Sequence, residues 1–239
     1  MATRPSTDRV QIAAGPGTCR IIWAGVVGYR EAWDWQVRIA DGVRDGSQPE
    51  TLLLLEHPHT YTRGRLAPDG DLLLDEPTLA ARGITVVETD RGGLITYHGP
   101  GQLVAYPIIR LRSGLLTKQR GGPHWYVHTL EQVIINVLAE FGLPTATVDG
   151  RTGVWTADGQ RKIAAIGVKI AGGVAYHGFA INVDPDLAMF DGIVPCGITD
   201  REVTSMAAEL GRAVDLDAVA GIAARQFCAE LGLAANFAV

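Results

Sequence analysis

The chain alternates between two hydrophobic periods, and each change of period marks an element. Thr18–Val27 reads as a strand, and the continuous apolar run Thr51–Glu56 reads as a strand buried on both faces. Between them, Tyr29–Val43 returns apolar residues at the helical interval, with Trp33, Val37 and Ala40 expected on one face. Leu72–Arg82 is expected as a short helix interrupted by Pro77. Ile84–Glu88, Leu94–Tyr97 and Gln102–Arg110 read as strands separated by glycine turns. Ser113–Pro123 reads as a loop rich in glycine and cations. The clearest helix is His124–Gly142, where Val127, Leu130, Val133, Ile134, Val137, Leu138 and Phe141 keep the 3.6-residue period. Thr199 and Glu202 have the spacing of a capping box and predict a helix from there to about Leu210. Asp215 is placed to cap a last helix carrying Val219, Ala223 and Phe227.

Asp158-Gly159 and Gly172-Gly173 separate the apolar segments Gly153–Thr156, Arg161–Ile170 and Val174–Val183, so these three are expected to form hairpins. A sheet containing hairpins is not all parallel. The expected fold class is therefore α/β (α+β): a mixed sheet with helices packed on it. One domain is expected over residues 18–235, preceded by a frayed arm at residues 1–17. The chain shows no internal repeat, no low-complexity tract and no interdomain linker.

Composition narrows the classes. The 29 glycines among 239 residues exceed the usual ~7%, which suggests tight turns and backbone that something must approach closely. No apolar run reaches the ~18 residues of a membrane span, and the N-terminus carries no apolar signal segment. Cys19, Cys196 and Cys228 lie far apart and read as reduced thiols of a cytoplasmic protein. The net charge of −5 argues against nucleic-acid binding. Yet Arg91–Leu130 holds no acidic residue and carries Arg91, Arg110, Arg112, Lys118 and Arg120. Such a stretch is placed to steer an acidic partner, unless the clustering is chance.

Four places are candidates for chemistry. From Arg91, Gly92 and Gly93 through Leu94, Ile95, Thr96, Tyr97 and His98 to Gly99 and Gly101, glycines flank a strand end. Such backbone can be approached by a ligand and can donate N–H groups; two ordinary turns around a core tyrosine are the plain alternative. Cys196, between Pro195 and Gly197 and just before the expected Thr199 cap, stands near the positive end of a helix, which favours a thiolate; a buried structural cysteine is the alternative. Lys162 opens the strand Lys162–Val168, and alternation puts it on one face with Ala164, Ile166 and Val168. It is either a partly desolvated lysine able to take a proton or a snorkelling edge residue. His57 and His59 read as hydrogen-bonded structural histidines, and His124 and His128 as a solvated helix face rather than a metal site. No glycine-lysine phosphate loop and no complete dinucleotide fingerprint occur.

Together these blocks resemble the octanoyltransferases of lipoate biosynthesis, the lipoate–protein ligase B family. The signature is Arg91-Gly92-Gly93, Thr96-Tyr97-His98, Gly101-Gln102, Val104 and Tyr106-Pro107, followed in order by Lys162–Gly167, His177-Gly178-Phe179-Ala180 and Pro195-Cys196-Gly197. The resemblance runs from about residue 20 to 232. It implies a fold similar to the catalytic domain of biotin and lipoate ligases. It implies transfer of an octanoyl or lipoyl group from acyl carrier protein to a lysine of lipoyl-domain proteins, such as 2-oxoacid dehydrogenase acyltransferase subunits and the glycine cleavage H protein. Cys196 would carry the acyl thioester and Lys162 would be its base partner, with His98 and His177 as rival bases. Arg91–His98, Ala165, Ile166, Gly167, Gly178, Phe179 and Ala180 would line the acyl site. No cofactor, metal, nucleic acid or membrane partner is implied.

An acyl thioester is already activated, which agrees with the missing phosphate loop. The alternative is a ligase of similar fold that adenylates a free acid with ATP, for which Arg63-Gly64-Arg65 offers a basic glycine loop. The departures from the family pattern are those residues and a long Ser113–Pro123 segment.

Overall fold

The computed structural model describes residues 17–111, 123–194 and 202–237. All but the last residue of the expected N-terminal arm, together with Arg112, Lys118, Arg120, Cys196 and Thr199, lie outside them. The described chain runs β1 (Thr18–Val26), α1 (Tyr29–Asp45), β2 (Glu50–Glu56), β3 (Thr60–Arg63), α2 (Glu76–Ala81), β4 (Thr85–Glu88), β5 (Ile95–His98) and β6 (Gln102–Arg110). It continues with α3 (Pro123–Glu140), β7 (Thr145–Val148), β8 (Arg151–Thr156), β9 (Arg161–Ala171), β10 (Val174–Asn182) and a 3-10 turn at Leu187–Gly192. It ends with β11 (Glu202–Val203), α4 (Met206–Leu210), α5 (Leu216–Leu231) and β12 (Ala234–Phe237).

The large sheet has the order β12-β1-β2-β6-β10-β9-β8-β7, with β11 added beside β9. Its β12-β1-β2 side is parallel, and β2-β6-β10-β9-β8-β7 is antiparallel, so the expected mixed sheet is present. Alternation explains why β2 is apolar throughout. Leu52 and Leu54 face the core under α3 and α5, while Leu53 and Leu55 face the α1 side. Each leucine so buried is worth roughly 1.5–3 kcal/mol. A second sheet, β4-β3-β5, packs Tyr61, Ile95 and Tyr97 against Leu79, Phe190 and Ile193 in a separate core. No helix among the described residues is long and apolar enough to cross a membrane.

Four expectations change. The buried face of α1 is Tyr29, Ala32, Gln36, Ile39, Ala40 and Val43, and Val37 is exposed. Pro77 begins α2 rather than interrupting it: Asp75 caps the helix by accepting from the Thr78 N–H, and proline suits a first turn whose N–H has no partner. Glu202 lies in a strand, parallel to Arg161, not in a helix. The helix begins at Met206, capped by Ser205, whose hydroxyl accepts from the Ala208 N–H. The expected helix from Thr199 is therefore absent over residues 202–205, and the dipole argument for Cys196 finds no support among the described residues. Strands β3, β7, β11 and β12 are additional to those expected.

Candidate active site

A cavity of about 370 Å3 lies over the α1-side face of β6, β10 and β9, closed above by the segment Arg91–Thr96. Its floor is made of small residues, Ala165 and Gly167 on β9 and Gly178 and Ala180 on β10, paired in register as Ala165↔Ala180 and Gly167↔Gly178. Their size is required. A Cβ at Gly178 would sit 2.2 Å from the Ala105 carbonyl oxygen and 2.5 Å from Pro107 Cδ, and one at Gly167 would sit 3.0 Å from the Gly92 oxygen. Ile166 and Phe179 also line the cavity.

Arg91 fixes the roof. It is buried, with Nε donating to Thr62 Oγ1 (3.2 Å), Nη2 to the Thr62 oxygen (2.6 Å), and Nη1 to the Gly92 oxygen (3.0 Å). Gly92 donates its N–H to the Val168 oxygen (3.0 Å), which docks this loop onto β9. Gly93, Leu94, Ile95, Thr96 and His98 line the cavity; Gly92 and Tyr97 do not. Tyr97 points into the second core, and its hydroxyl hydrogen-bonds His59 Nδ1 at 2.8 Å.

Lys162 stands at one end of this floor, buried to 8% exposure. It does not share the face of Ala164, as simple alternation predicted. The β8–β9 register passes from Val154↔Ala164 to Trp155↔Lys162, so β9 bulges at Ile163. Ile163 and Ala164 both enter the main core, and Lys162 turns to the cavity with Ala165 and Gly167. Its backbone is held on the other side by β11: Val203 pairs with Lys162, and the Thr204 N–H donates to the Lys162 oxygen (2.9 Å). The Val194 N–H is tied to the Asp71 oxygen (2.8 Å). Cys196 falls in sequence between these two anchors, and its own position lies outside the described residues.

Three neutral histidines stand behind the cavity. His57 Nδ1–H donates to the Val27 oxygen (2.6 Å), Nε2 accepts from the Tyr106 hydroxyl (2.8 Å), and burial lowers its pKa to about 4. His98 donates from Nδ1 to Gln102 Oε1 (2.7 Å), and burial holds it well below the usual imidazole value. His177 donates from Nε2 to Asp90 Oδ1 (2.8 Å), and burial lowers it against the pull of that carboxylate. The other Asp90 oxygen takes Lys169 Nζ and the Tyr176 hydroxyl, both at 3.0 Å; the bond from His177 first, then these two, hold its carboxyl far below the usual range. Tyr106, part of the signature, lines the cavity, as do Tyr29, Leu66, Arg151 and Thr152, which were not singled out by sequence. The only signal of those four is proximity in space, although Asp90 adjoins Arg91 in the chain.

Arg110 is engaged within the chain. Its guanidinium donates to the oxygens of Val43 and Arg44 (2.7 Å to the latter) and closes the C-terminal end of α1. The basic glycine loop is likewise occupied: Arg63 pairs with Asp69 (2.7 Å) and Glu88 (3.1 Å), and a Cβ at Gly64 would sit 2.3 Å from the Gly93 oxygen. His57 has the structural role its sequence setting suggested, and His124 and His128 lie on the exposed face of α3.

Fold and site define an α/β domain with a cavity floored by small residues beside a buried lysine. Residues 28–228 match the lipoyl protein ligase A/B catalytic domain, and the chain belongs to that family. Within it, the chain is similar to the octanoyltransferase of Chloroflexus aurantiacus, 52% identical over 85% of this chain and 89% of that one. It is also similar to that of Mycobacterium tuberculosis, 49% identical over 87% and 84%. Among solved structures, lipoate-protein ligase A bound with ATP superposes with a TM-score of 0.68 at 16% identity, covering 94% of this chain and 90% of that one. The bipartite lipoate protein ligase of Thermoplasma acidophilum does so at 0.68 and 16%, covering 95% and 88%. The last two establish the fold.

Proposed function

We propose that this protein transfers an octanoyl group from the thioester of acyl carrier protein to a lysine of a lipoyl domain, through an acyl thioester on Cys196. The chain is an acyltransferase of protein lipoylation, as its octanoyltransferase relatives indicate. The observation that supports this reading best is Lys162 turned by the β9 bulge onto a floor of small residues. The cavity's volume falls in the usual range for small-ligand sites.

In the first half-reaction the Cys196 thiolate attacks the donor's carbonyl carbon, the C–S bond to the carrier breaks, and the carrier's thiol leaves with a proton. In the second, the acceptor's amine attacks acyl-Cys196, an amide forms, and the thiol is restored. Lys162 takes the proton from Cys196, returns it to the departing thiol, and then accepts one from the amine. Exchange between two sulfurs is nearly balanced, and transfer from sulfur to nitrogen runs downhill, so ATP has no role. Lys162 is preferred to His98 and His177 as the base because burial opposes protonation of both imidazoles. Arg91–Thr96, Ala165–Gly167 and Gly178–Ala180 hold the chain, and the reaction takes place in the cytoplasm.

The test is incubation with octanoyl-carrier protein without ATP, followed by intact-mass and peptide analysis. An octanoyl adduct on Cys196 is expected, absent in Cys196→Ser, while Cys19→Ser and Cys228→Ser retain transfer. A fully active Cys196→Ser, or transfer that requires ATP, would overturn the reading.

A further inference from the structure

The Lys162 side chain lies in a slot made by two residues of β8. Gly153 has φ +119°, a backbone conformation that side chains rarely adopt. A Cβ there would sit 2.5 Å from the Ala164 oxygen, 2.6 Å from Lys162 Cε and 3.2 Å from Nζ, so the end of the lysine and the β9 backbone both pass close to the bare Cα. Gly153 is pinned from behind, its N–H donating to Glu131 Oε1 on α3 at 3.0 Å. On the far side the ammonium faces the ring of Trp155, with Nζ 5.3 Å from its centroid. Trp155 is fully buried, and its Nε1–H reaches the Arg151 oxygen at 3.4 Å. An aromatic face attracts a cation and fixes its direction of approach.

We propose that Gly153 and Trp155 are positioning residues for Lys162. Glycine leaves the space in which the lysine crosses β8, and the indole sets where its nitrogen stops. Neither lines the cavity, and both reach it through Lys162. The proposal rests on the reading of Lys162 as the proton carrier. It explains why a glycine stands next to the apolar Val154-Trp155 pair of β8, and why the bulge at Ile163 is matched by an open position on the neighbouring strand.

The experiment compares Gly153→Ala, Trp155→Phe and Trp155→Leu in octanoyl transfer, with kcat and KM for octanoyl-carrier protein measured separately and folding checked by thermal melts. Displacing a catalytic group by about an ångström costs on the order of 10²-fold. Gly153→Ala is therefore expected to lower kcat about 10²-fold with KM within about threefold. Trp155→Leu should lower kcat about tenfold or more, and Trp155→Phe, which keeps an aromatic face, should recover most of that loss. A folded Gly153→Ala with wild-type kcat would overturn the proposal. So would Phe and Leu variants of equal activity, a comparison that decides the matter alone if Gly153→Ala does not fold. Losses that fall on KM as much as on kcat would assign the slot a structural role instead. Lys162→Met, run alongside, separates the two levels: if it transfers at the wild-type rate the role of Lys162 is wrong, whereas an inactive Lys162→Met with unimpaired slot variants refutes only the slot.

Discussion

Mild acid should unfold this protein through its buried histidines, and His57 allows the size of the effect to be worked out. In the unfolded chain an imidazole takes up a proton near pH 6.5, whereas folded His57 does so only near 4. Between those values the unfolded state binds more protons, so stability falls as pH falls. The contribution is complete above pH 6.5 and lost on the way down to about 4. At full protonation it amounts to about 3 kcal/mol, of which about 2 kcal/mol has gone by pH 5. His98 and His177, also depressed by burial, act in the same direction. Against a typical total of 5–15 kcal/mol, a loss of that size is readily measured. Urea unfolding at about pH 7.5 and about pH 5 would test this in the wild type and in His57→Gln. The variant starts less stable, because it loses bonds to the Val27 oxygen and Tyr106. Its decline between the two pH values should be about 2 kcal/mol smaller. Parallel declines would show that His57 is not the buried neutral group described above.

The other expectations concern activity and packing. Lys162→Arg and Lys162→Met should both lose ~10²–10⁴-fold in single-turnover acylation, because a guanidinium keeps its proton; an Arg variant near wild type would mean that charge alone suffices. Gly178→Ala should cost roughly 1–3 kcal/mol in thermal or urea unfolding, since its Cβ meets the Ala105 carbonyl and Pro107, and a variant as stable as wild type would contradict the floor geometry. Arg110→Ala should lower stability, read as the urea midpoint, without raising KM for the carrier, because this residue closes the end of α1; a selective rise in KM would restore it to docking.

Long apolar runs bounded by strong turn residues were legible. β9 and β10 are fenced by Asp158-Gly159 and Gly172-Gly173, and α3 keeps its period until Gly142. β3 and β12 were not, because Thr60–Arg63 and Ala234–Phe237 are four residues each and owe their strand form to a neighbour, β4 and β5 for one and β1 for the other. The Thr199–Glu202 pattern failed for a related reason: strand pairing of Glu202 with Arg161 outweighs a local cap, and Ser205 starts the helix instead. The site's glycines and Lys162 were visible as motifs. The direction of Lys162 was not, since one bulge reverses the face of everything before it. Trp155 and Gly153 looked like ordinary strand residues, and only their distance to Lys162 distinguishes them.

The pairing of β12 with β1 has a consequence for synthesis on the ribosome. β1 is made before every other described element, and the strand that covers its outer edge is made after them, Ala234–Phe237 aligning with Thr18–Ile21. The Ala234 N–H also bonds to the Gly17 oxygen (2.8 Å), so the two ends of the described chain meet. Until Ala234–Phe237 leave the exit tunnel, β1 presents unpaired N–H and C=O groups along one side while the centre of the sheet can already assemble. A nascent chain in that condition offers an open strand edge to its neighbours on the same message. Emergence of β12, rather than assembly of the cavity, is then the step that covers β1, and the short β12 takes its place as the edge of the sheet.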